Sequence, residues 1–325
     1  MRKLLHAMPL DLAAIRAAHD RIRPYVHRTP VLTSERLNAA CGGTLFFKCE
    51  NFQKVGAFKA RGAANAIFSL DDASARLGVA THSSGNHAAA VARAARLRGI
   101  PAYIVMPKNS AKPKIRAVEG YGGIVTLSEP DAASREGTCA RIVAETGAAL
   151  IHPYENEHVM AGQGTVAVEF LEDVSDLDLL LCPVGGGGLL AGASVAAKAL
   201  RPSISIIATE PAGASDTAES FAAGHVIPLE QARTIADGLR TTIGQPNFEI
   251  VKGLIDGVVT VSEDEIIAAM RLLWETMKVV VEPSGAVPYA AVLAKKVPVA
   301  NRRVGIILTG GNVDLDALPW IAGRT

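Results

Sequence analysis

Lys59 stands in the run Glu50-Asn51-Phe52-Gln53-Lys54-Val55-Gly56-Ala57-Phe58-Lys59-Ala60-Arg61-Gly62-Ala63, and three distant segments carry groups that complement a nucleophilic amine. They are Ser83-Ser84-Gly85-Asn86-His87, Gly185-Gly186-Gly187-Gly188 and Thr309-Gly310-Gly311-Asn312. A lysine amine condenses with a carbonyl, a glycine run offers backbone N–H groups to an anion, and hydroxyl and amide side chains orient a ring or a carboxylate. Together the four segments suit an aldehyde cofactor held at once by its phosphate, its ring edge and a covalent bond.

These segments need elements to bring them together, and the hydrophobic pattern supplies them. Short runs rich in Val and Ile predict strands at Thr44 to Cys49, Gly78 to His82, Ala102 to Met106, Ile124 to Leu127, Ala149 to His152, Leu179 to Val184, Ser203 to Thr209, Val258 to Val261 and Val304 to Leu308. Between them, helical patterns cover Ala57 to Leu70, His87 to Arg98, Ala132 to Thr146, His158 to Asp173, Gly188 to Leu200 and Glu263 to Lys278, the last capped by Ser262. The alternation reads as an α/β protein with open, mostly parallel sheets flanked by helices, and ligands of such sheets sit beyond the carboxyl ends of the strands. The four segments fall largely at those ends.

The chain has 325 residues, 49% of them hydrophobic, enough for about two domains with their own cores. Thirty-three basic residues against 32 acidic ones leave a net charge of +1, so no overall field favours nucleic acid or an anionic membrane. Cysteines at 41, 49, 139 and 182 form no CxxC pair, which suits free thiols in a reducing compartment. Met1-Arg2-Lys3-Leu4-Leu5 is a faint echo of a signal sequence, but His6, Pro9 and Asp11 interrupt it, and the expected location is cytoplasmic.

The motif set resembles the pyridoxal 5'-phosphate enzymes of fold type II (tryptophan synthase β-like), and within them the serine racemase and serine/threonine dehydratase group, including threo-3-hydroxyaspartate ammonia-lyases. The likeness runs from Pro30-Val31-Leu32-Thr33-Ser34 to Gly311-Asn312-Val313-Asp314-Leu315, through Gly99-Ile100-Pro101, Ala161-Gly162-Gln163-Gly164-Thr165 and Ile235-Ala236-Asp237-Gly238. It implies a large cofactor-binding domain of residues 1–77 and 156–325, with a small substrate-gating domain, 78–155, inserted into it. It also implies a homodimer, and β-elimination from serine, threonine or threo-3-hydroxyaspartate to a 2-oxo acid and ammonia, with serine racemisation as a second outcome; a phenylserine dehydratase belongs to the same family. Lys59 would be the catalytic amine. Phe58, Asn86, Gly185, Gly186, Gly187, Gly188, Leu189 and Thr309 would hold the cofactor, and Ser83, Ser84, Asn86 and His87 would surround the substrate carboxylate. Ser84 would exchange the opposite-face proton in racemisation. Arg135, Asp237 and Thr241 would lie near the substrate side chain, Arg135 favouring a second carboxylate. Glu210, the Ala214 carbonyl and Asp216 would bind magnesium, or calcium or manganese in its place.

Each residue also has a plainer reading. Lys59 is otherwise a solvated helix lysine, and Arg135 a solvated helix arginine. Ser84 or Asn86 would simply cap the following helix, Thr309 would cap a turn, and Asp216 with Glu219 resembles a helix capping box. The rival for the glycines is a dinucleotide fingerprint: Gly186-Gly187-Gly188-Leu189-Leu190-Ala191 fits GxGxx[GA], with Glu210 where a ribose-binding acid would sit, predicting an NAD(P)-dependent dehydrogenase. That reading leaves Lys59 and the Ser83–His87 segment without work. Tyr154 and Ala89 stand where animal racemases carry asparagine and glutamine, so the resemblance does not carry over their nucleotide activation.

Overall fold

Two sheets organise the computed structural model, which describes residues 10–83, 85–110 and 112–321. The strands are β1 Val31–Leu32, β2 Thr44–Cys49, β3 Val79–His82, β4 Ala102–Pro107, β5 Ile124–Ser128, β6 Ala149–Leu150, β7 Leu179–Pro183, β8 Ser205–Pro211, β9 Gly257–Val261 and β10 Arg303–Leu308. One sheet has the order β1-β2-β10-β7-β8-β9, the other β5-β4-β3-β6. Every neighbouring pair is parallel except β1 with β2. Each strand expected from the hydrophobic runs is present. The two-residue β1 is an addition, too short to leave a periodic signal and recorded only by its pairing of Val31 with Lys48 and Leu32 with Phe47.

The central strands are the apolar ones. All of β7 is buried, and so are five of the six residues of β10, as strands covered by helices on both faces must be. The predicted strand at Ala149 to His152 stops at Leu150, because the chain turns sharply over the next residues. The helix predicted from Ala57 begins at Lys59 and ends at Phe68. Its first two expected residues are instead zipped to the end of β10: Ala57 bridges Gly310, the Phe58 N–H donates to the Thr309 carbonyl (3.0 Å), and the Gly311 N–H donates to the Gly56 carbonyl (2.9 Å). Helices at Ala132–Thr146 and Gly188–Leu200 match the predicted bounds, and Ser262 forms a full capping box with Glu265 at the start of Glu263–Met277. No helix of the described residues is long and apolar enough to cross a membrane.

Behind the lysine-bearing helix lies a buried cluster of charges. Arg61, two residues after Lys59 and wholly buried, donates to both carboxylate oxygens of Glu50 (2.8 and 2.7 Å) and both of Glu169 (2.7 and 2.7 Å). Lys48 adds a second cation 2.9 Å from Glu169, and Thr29 donates its hydroxyl to Glu50 at 2.5 Å. Two cations face two carboxylates, so the cluster is compensated, and removing one partner from such a set costs about 3–5 kcal/mol through the charge left buried. It ties the helix Lys59–Phe68 to β2 and to the helix Glu157–Asp173.

Candidate active site

A cleft of about 500 Å3 opens at the carboxyl ends of β3, β7 and β10, where it is lined by Phe58, Lys59, Ser83, Asn86, His87, Arg135, Asp237, Thr241, Thr309 and the glycines 185–188 with Leu189. Residues from the four chemically suggestive segments therefore meet in one place. Ser84 lies outside the described residues.

Lys59 is the first residue of its helix, half-buried, with its Nζ donating to the Pro153 carbonyl (2.8 Å) and standing 5.1 Å from the centre of the Phe58 ring. Burial pushes its pKa down to about 8, since a neutral carbonyl and an aromatic face replace water around the ammonium. A lysine in this state is no solvated helix residue: a useful fraction of it is a free amine near neutral pH.

The glycine run leaves β7 and enters the helix Gly188–Leu200, with Gly187 at the cap in the left-handed region (φ 87°). Its Gly186 carbonyl is held from outside by Asn247 Nδ2 (2.5 Å) and the Gly244 N–H (3.1 Å). Among the described residues no acceptor meets the N–H groups of residues 185–189, so that the helix N-terminus and the loop before it present unpaired donors. A β-carbon on Gly186 would fall 2.3 Å from the Tyr154 ring, which occupies the notch that the missing side chain leaves. Glu210, which the dinucleotide reading needs for a ribose, is 1% exposed and spends its oxygens on the N–H groups of Thr217 (3.2 Å) and Ala218 (2.7 Å). A carboxylate at the end of β8 that is turned into the first turn of the helix Asp216–Ala223 does not serve a ribose at the cleft.

Across the cleft, Ser83 and Asn86 flank the start of the helix Asn86–Arg98. Asn86 is no helix cap; its amide donates to Glu282 (2.8 Å) and its oxygen accepts from Asn312 (2.9 Å), joining the two sheets. His87 is buried, and because its Nε2 faces the Ile151 carbonyl (3.2 Å) that nitrogen carries the hydrogen and Nδ1 is left bare, with no partner among the described residues. Burial, then the nearby Lys59, holds the ring neutral by driving its pKa well below the usual histidine value. A neutral ring with a bare nitrogen does not attract a carboxylate, so any carboxylate contact here falls to the helix N-terminus rather than to the imidazole.

Sequence reasoning missed Glu282, Lys114 and His152. Glu282 is 3% exposed and accepts from Asn86 and from the Asn312 N–H (3.2 Å), and burial, reinforced by Asp237, pushes its pKa up. Lys114 reaches past Gly85 to pair with Asp237. The buried Arg135 Nε has no partner among the described residues. His82 lies edge-on to His152, their ring centres 5.5 Å apart. Glu282 lies 196 positions from Asn86, Lys114 lies 123 from Asp237, and His152 is far along the chain from His82, so no local spacing announces these pairs.

The three residues expected to bind a cation lie behind the glycine loop, outside the cleft lining. Asp216 does not form the capping box expected with Glu219; it accepts from the Ile243 N–H (2.8 Å), while Ser215 bonds Glu219 (2.8 Å). Ile243 in turn packs where a side chain on Gly187 would go. Burial pushes Asp216 up to about 6 and Glu210 up to about 8. No group of three or more His, Cys, Asp or Glu side chains gathers in metal-binding range among the described residues, so any cation here would draw on carbonyl or water oxygens as well.

The unpaired loop amides suit a phosphate, and the desolvated amine of Lys59 suits an aldehyde; the residues present fit pyridoxal phosphate. Comparison with known proteins agrees. Residues 22–310 match the family model described as "Pyridoxal-phosphate dependent enzyme". The chain is 52% identical over 313 residues to a serine racemase of Arabidopsis thaliana, covering 95% of each, and 49% identical over 304 residues to a beta-hydroxyaspartate dehydratase of Paracoccus denitrificans, covering 94% of this chain and 96% of that one. The solved structure of maize serine racemase superposes with a TM-score of 0.93 at 50% identity, covering 97% of both chains. A family model across most of the length, relatives near half identity and two matching sheets leave one assignment: the chain belongs to the pyridoxal-phosphate dependent enzymes of fold type II.

Proposed function

We propose that the chain is a β-hydroxy amino acid ammonia-lyase, converting serine, threonine or threo-3-hydroxyaspartate to a 2-oxo acid and ammonia, with serine racemisation as a second outcome. The observation that carries this is the seat of Lys59: a buried amine, near neutrality, at the meeting point of an anion cradle and a helix N-terminus. Lys59 would hold the pyridoxal aldehyde, the amides of Gly185, Gly186, Gly187, Gly188 and Leu189 the phosphate, Asn86 the ring hydroxyl and Thr309 the pyridine nitrogen. When bound, the cofactor supplies an electron sink that acidifies the substrate Cα–H.

The remaining work falls to side chains of this chain. Ser83 and the N-terminal amides of the helix Asn86–Arg98 orient the substrate carboxylate. The Lys59 amine takes the Cα proton, a transfer worth about 10² to 10⁴ in rate from a well-placed base. The β-hydroxyl would then depart as water, taking up the proton that Lys59 removed from Cα. Thr309 offers a neutral hydroxyl, which unlike a carboxylate does not hold the pyridine nitrogen protonated and so favours elimination over transamination. Ser84 would return a proton to Cα when the outcome is racemisation. The relatives named as racemases and as a hydroxyaspartate dehydratase, each near half identity, support both outcomes.

Arg135, with its unpaired buried Nε, would receive the second carboxylate of hydroxyaspartate, and Asp237 and Thr241 would flank the leaving group. Residues 78–155 would act as the gating domain over the larger body of 1–77 and 156–325. Two chains would form a homodimer. Glu210, Asp216 and the Ala214 carbonyl would bind magnesium, because two buried carboxyls pushed up in pKa gain most from a cation. The test is a 2-oxo acid assay across stereoisomers of serine, threonine, 3-hydroxyaspartate and phenylserine, paired with borohydride fixation of the cofactor. Lys59→Ala is expected to abolish both product and fixation; product formation undiminished by that change would overturn the assignment.

A further inference from the structure

We propose that His152 is a positioning residue whose ring nitrogen shapes the 152–155 turn, and that this turn sets both the Lys59 amine and the glycine cradle. The inference rests on Lys59 being the point of cofactor attachment. The chain leaves β6 at Leu150 and must reverse before the helix Glu157–Asp173. The reversal is made on the imidazole: His152 Nδ1 accepts the N–H of Glu155 (2.9 Å) and, more weakly, that of Tyr154 (3.4 Å). Two backbone donors on one nitrogen require that it carry no hydrogen, so Nε2 carries it. Burial, with His82 and Lys59 nearby, pushes the His152 pKa down to about 4, and the acceptor survives at neutral pH.

What the turn delivers is specific. Its second residue, Pro153, presents the carbonyl that receives Lys59 Nζ at 2.8 Å. Its third, Tyr154, stands edge-on to the His152 ring, centres 4.6 Å apart, and fills the notch at Gly186. The Tyr154 carbonyl accepts from Asn247 Nδ2 (3.1 Å), the same amide that holds the Gly186 carbonyl. One short turn thus touches the covalent end and the anionic end of the cofactor seat. A histidine that only filled space would have no need of a bare Nδ1 aimed at backbone donors.

An asparagine carries an acceptor oxygen at the same number of bonds from Cα, and asparagine closes such turns on its own. His152→Asn should therefore keep the arrangement, and His152→Leu, similar in bulk but without an acceptor, should lose it. Two readouts are taken: pyridoxal phosphate affinity, and the pH midpoint at which Lys59 of the cofactor-free protein reacts with an amine-directed label, followed on its peptide. The leucine variant is expected to bind the cofactor about tenfold more weakly and to show a higher Lys59 midpoint as water reaches the amine, while the asparagine variant stays within about threefold of the parent. A leucine variant with the parent's affinity and midpoint, or an asparagine variant equally impaired, would sink the proposal. Independently of any variant, the ¹⁵N spectrum of the imidazole at neutral pH should show Nδ1 bare and Nε2 protonated, and the reverse tautomer overturns it. If Lys59→Ala leaves cofactor affinity untouched, the attachment reading fails; if only His152→Leu is silent, this inference alone fails.

Discussion

The loop after β7 and the loop after β3 both deliver a helix N-terminus to the cleft, yet only the first is built without side chains. Residues 185–188 are glycines, fully buried, and fixed from behind by Asn247 and Gly244. Residues 83, 86 and 87 carry a hydroxyl, an amide and an imidazole, and Ser83 and Asn86 are only half-buried. Under the proposed function the first loop holds a phosphate that stays through every turnover, whereas the second meets a carboxylate that enters and leaves. Backbone donors in a rigid, packed loop suit the permanent guest, because they require no reorganisation. Side chains at a partly open rim suit the transient one, because they can be exchanged to alter selectivity without disturbing the seat.

The contrast breaks most sharply at Gly186. Gly186→Ala drives a methyl into the Tyr154 ring, and cofactor affinity is expected to fall about a hundredfold or more, read by equilibrium dialysis of pyridoxal phosphate. If the alanine variant binds the cofactor normally, the rigid-cradle half of the comparison is wrong. Ser83→Ala tests the other half with a smaller effect: KM for serine should rise about tenfold with cofactor affinity nearly unchanged. Equal losses of cofactor and substrate binding would show that the two loops are not separable.

The smallest effect concerns the support behind the glycine loop. Asp216 and Glu210 have folded pKa values above their ordinary ones, so their contribution to stability is complete below the ordinary values of 3.8 and 4.5 and is lost as pH rises through about 6 and about 8. Magnesium would offset that loss. The melting temperature at pH 8 should rise by a few degrees on adding magnesium and by much less at pH 5, where the carboxyls compete with protons for the ion. A melting temperature indifferent to magnesium at pH 8 would leave the glycine loop supported by protein contacts alone.

Much of this architecture was legible because strands and helices here obey their own periods. Thr44 to Cys49 and Ala132 to Thr146 were readable to the residue. The helix Pro283–Leu293 was not, because Pro283, Gly285 and Pro288 are residues that local propensity assigns to turns, and its near-complete burial leaves no polar face to mark a period. The site divides in the same way. Lys59 and the glycines announce themselves through local composition, while Glu282 gains its meaning only from Asn86, 196 positions away. Glu210 and Asp216, proposed for the cation, had no diagnostic spacing, and what sets them apart is shared burial with no ion-pair partner among the described residues, which no linear pattern records.

The ladder joining residues 56–58 to residues 309–311 has a consequence for the order of assembly. β10 lies between β2 and β7, and the stretch just beyond it seats the segment that leads into Lys59. Synthesis runs from the N-terminus, so a ribosome releases the nucleophile some 250 positions before it releases the backbone that steadies it. Fixing the segment that leads into Lys59 is consequently a late act of maturation, and a nascent chain halted short of Gly311 would lack the backbone ladder that seats residues 56–58.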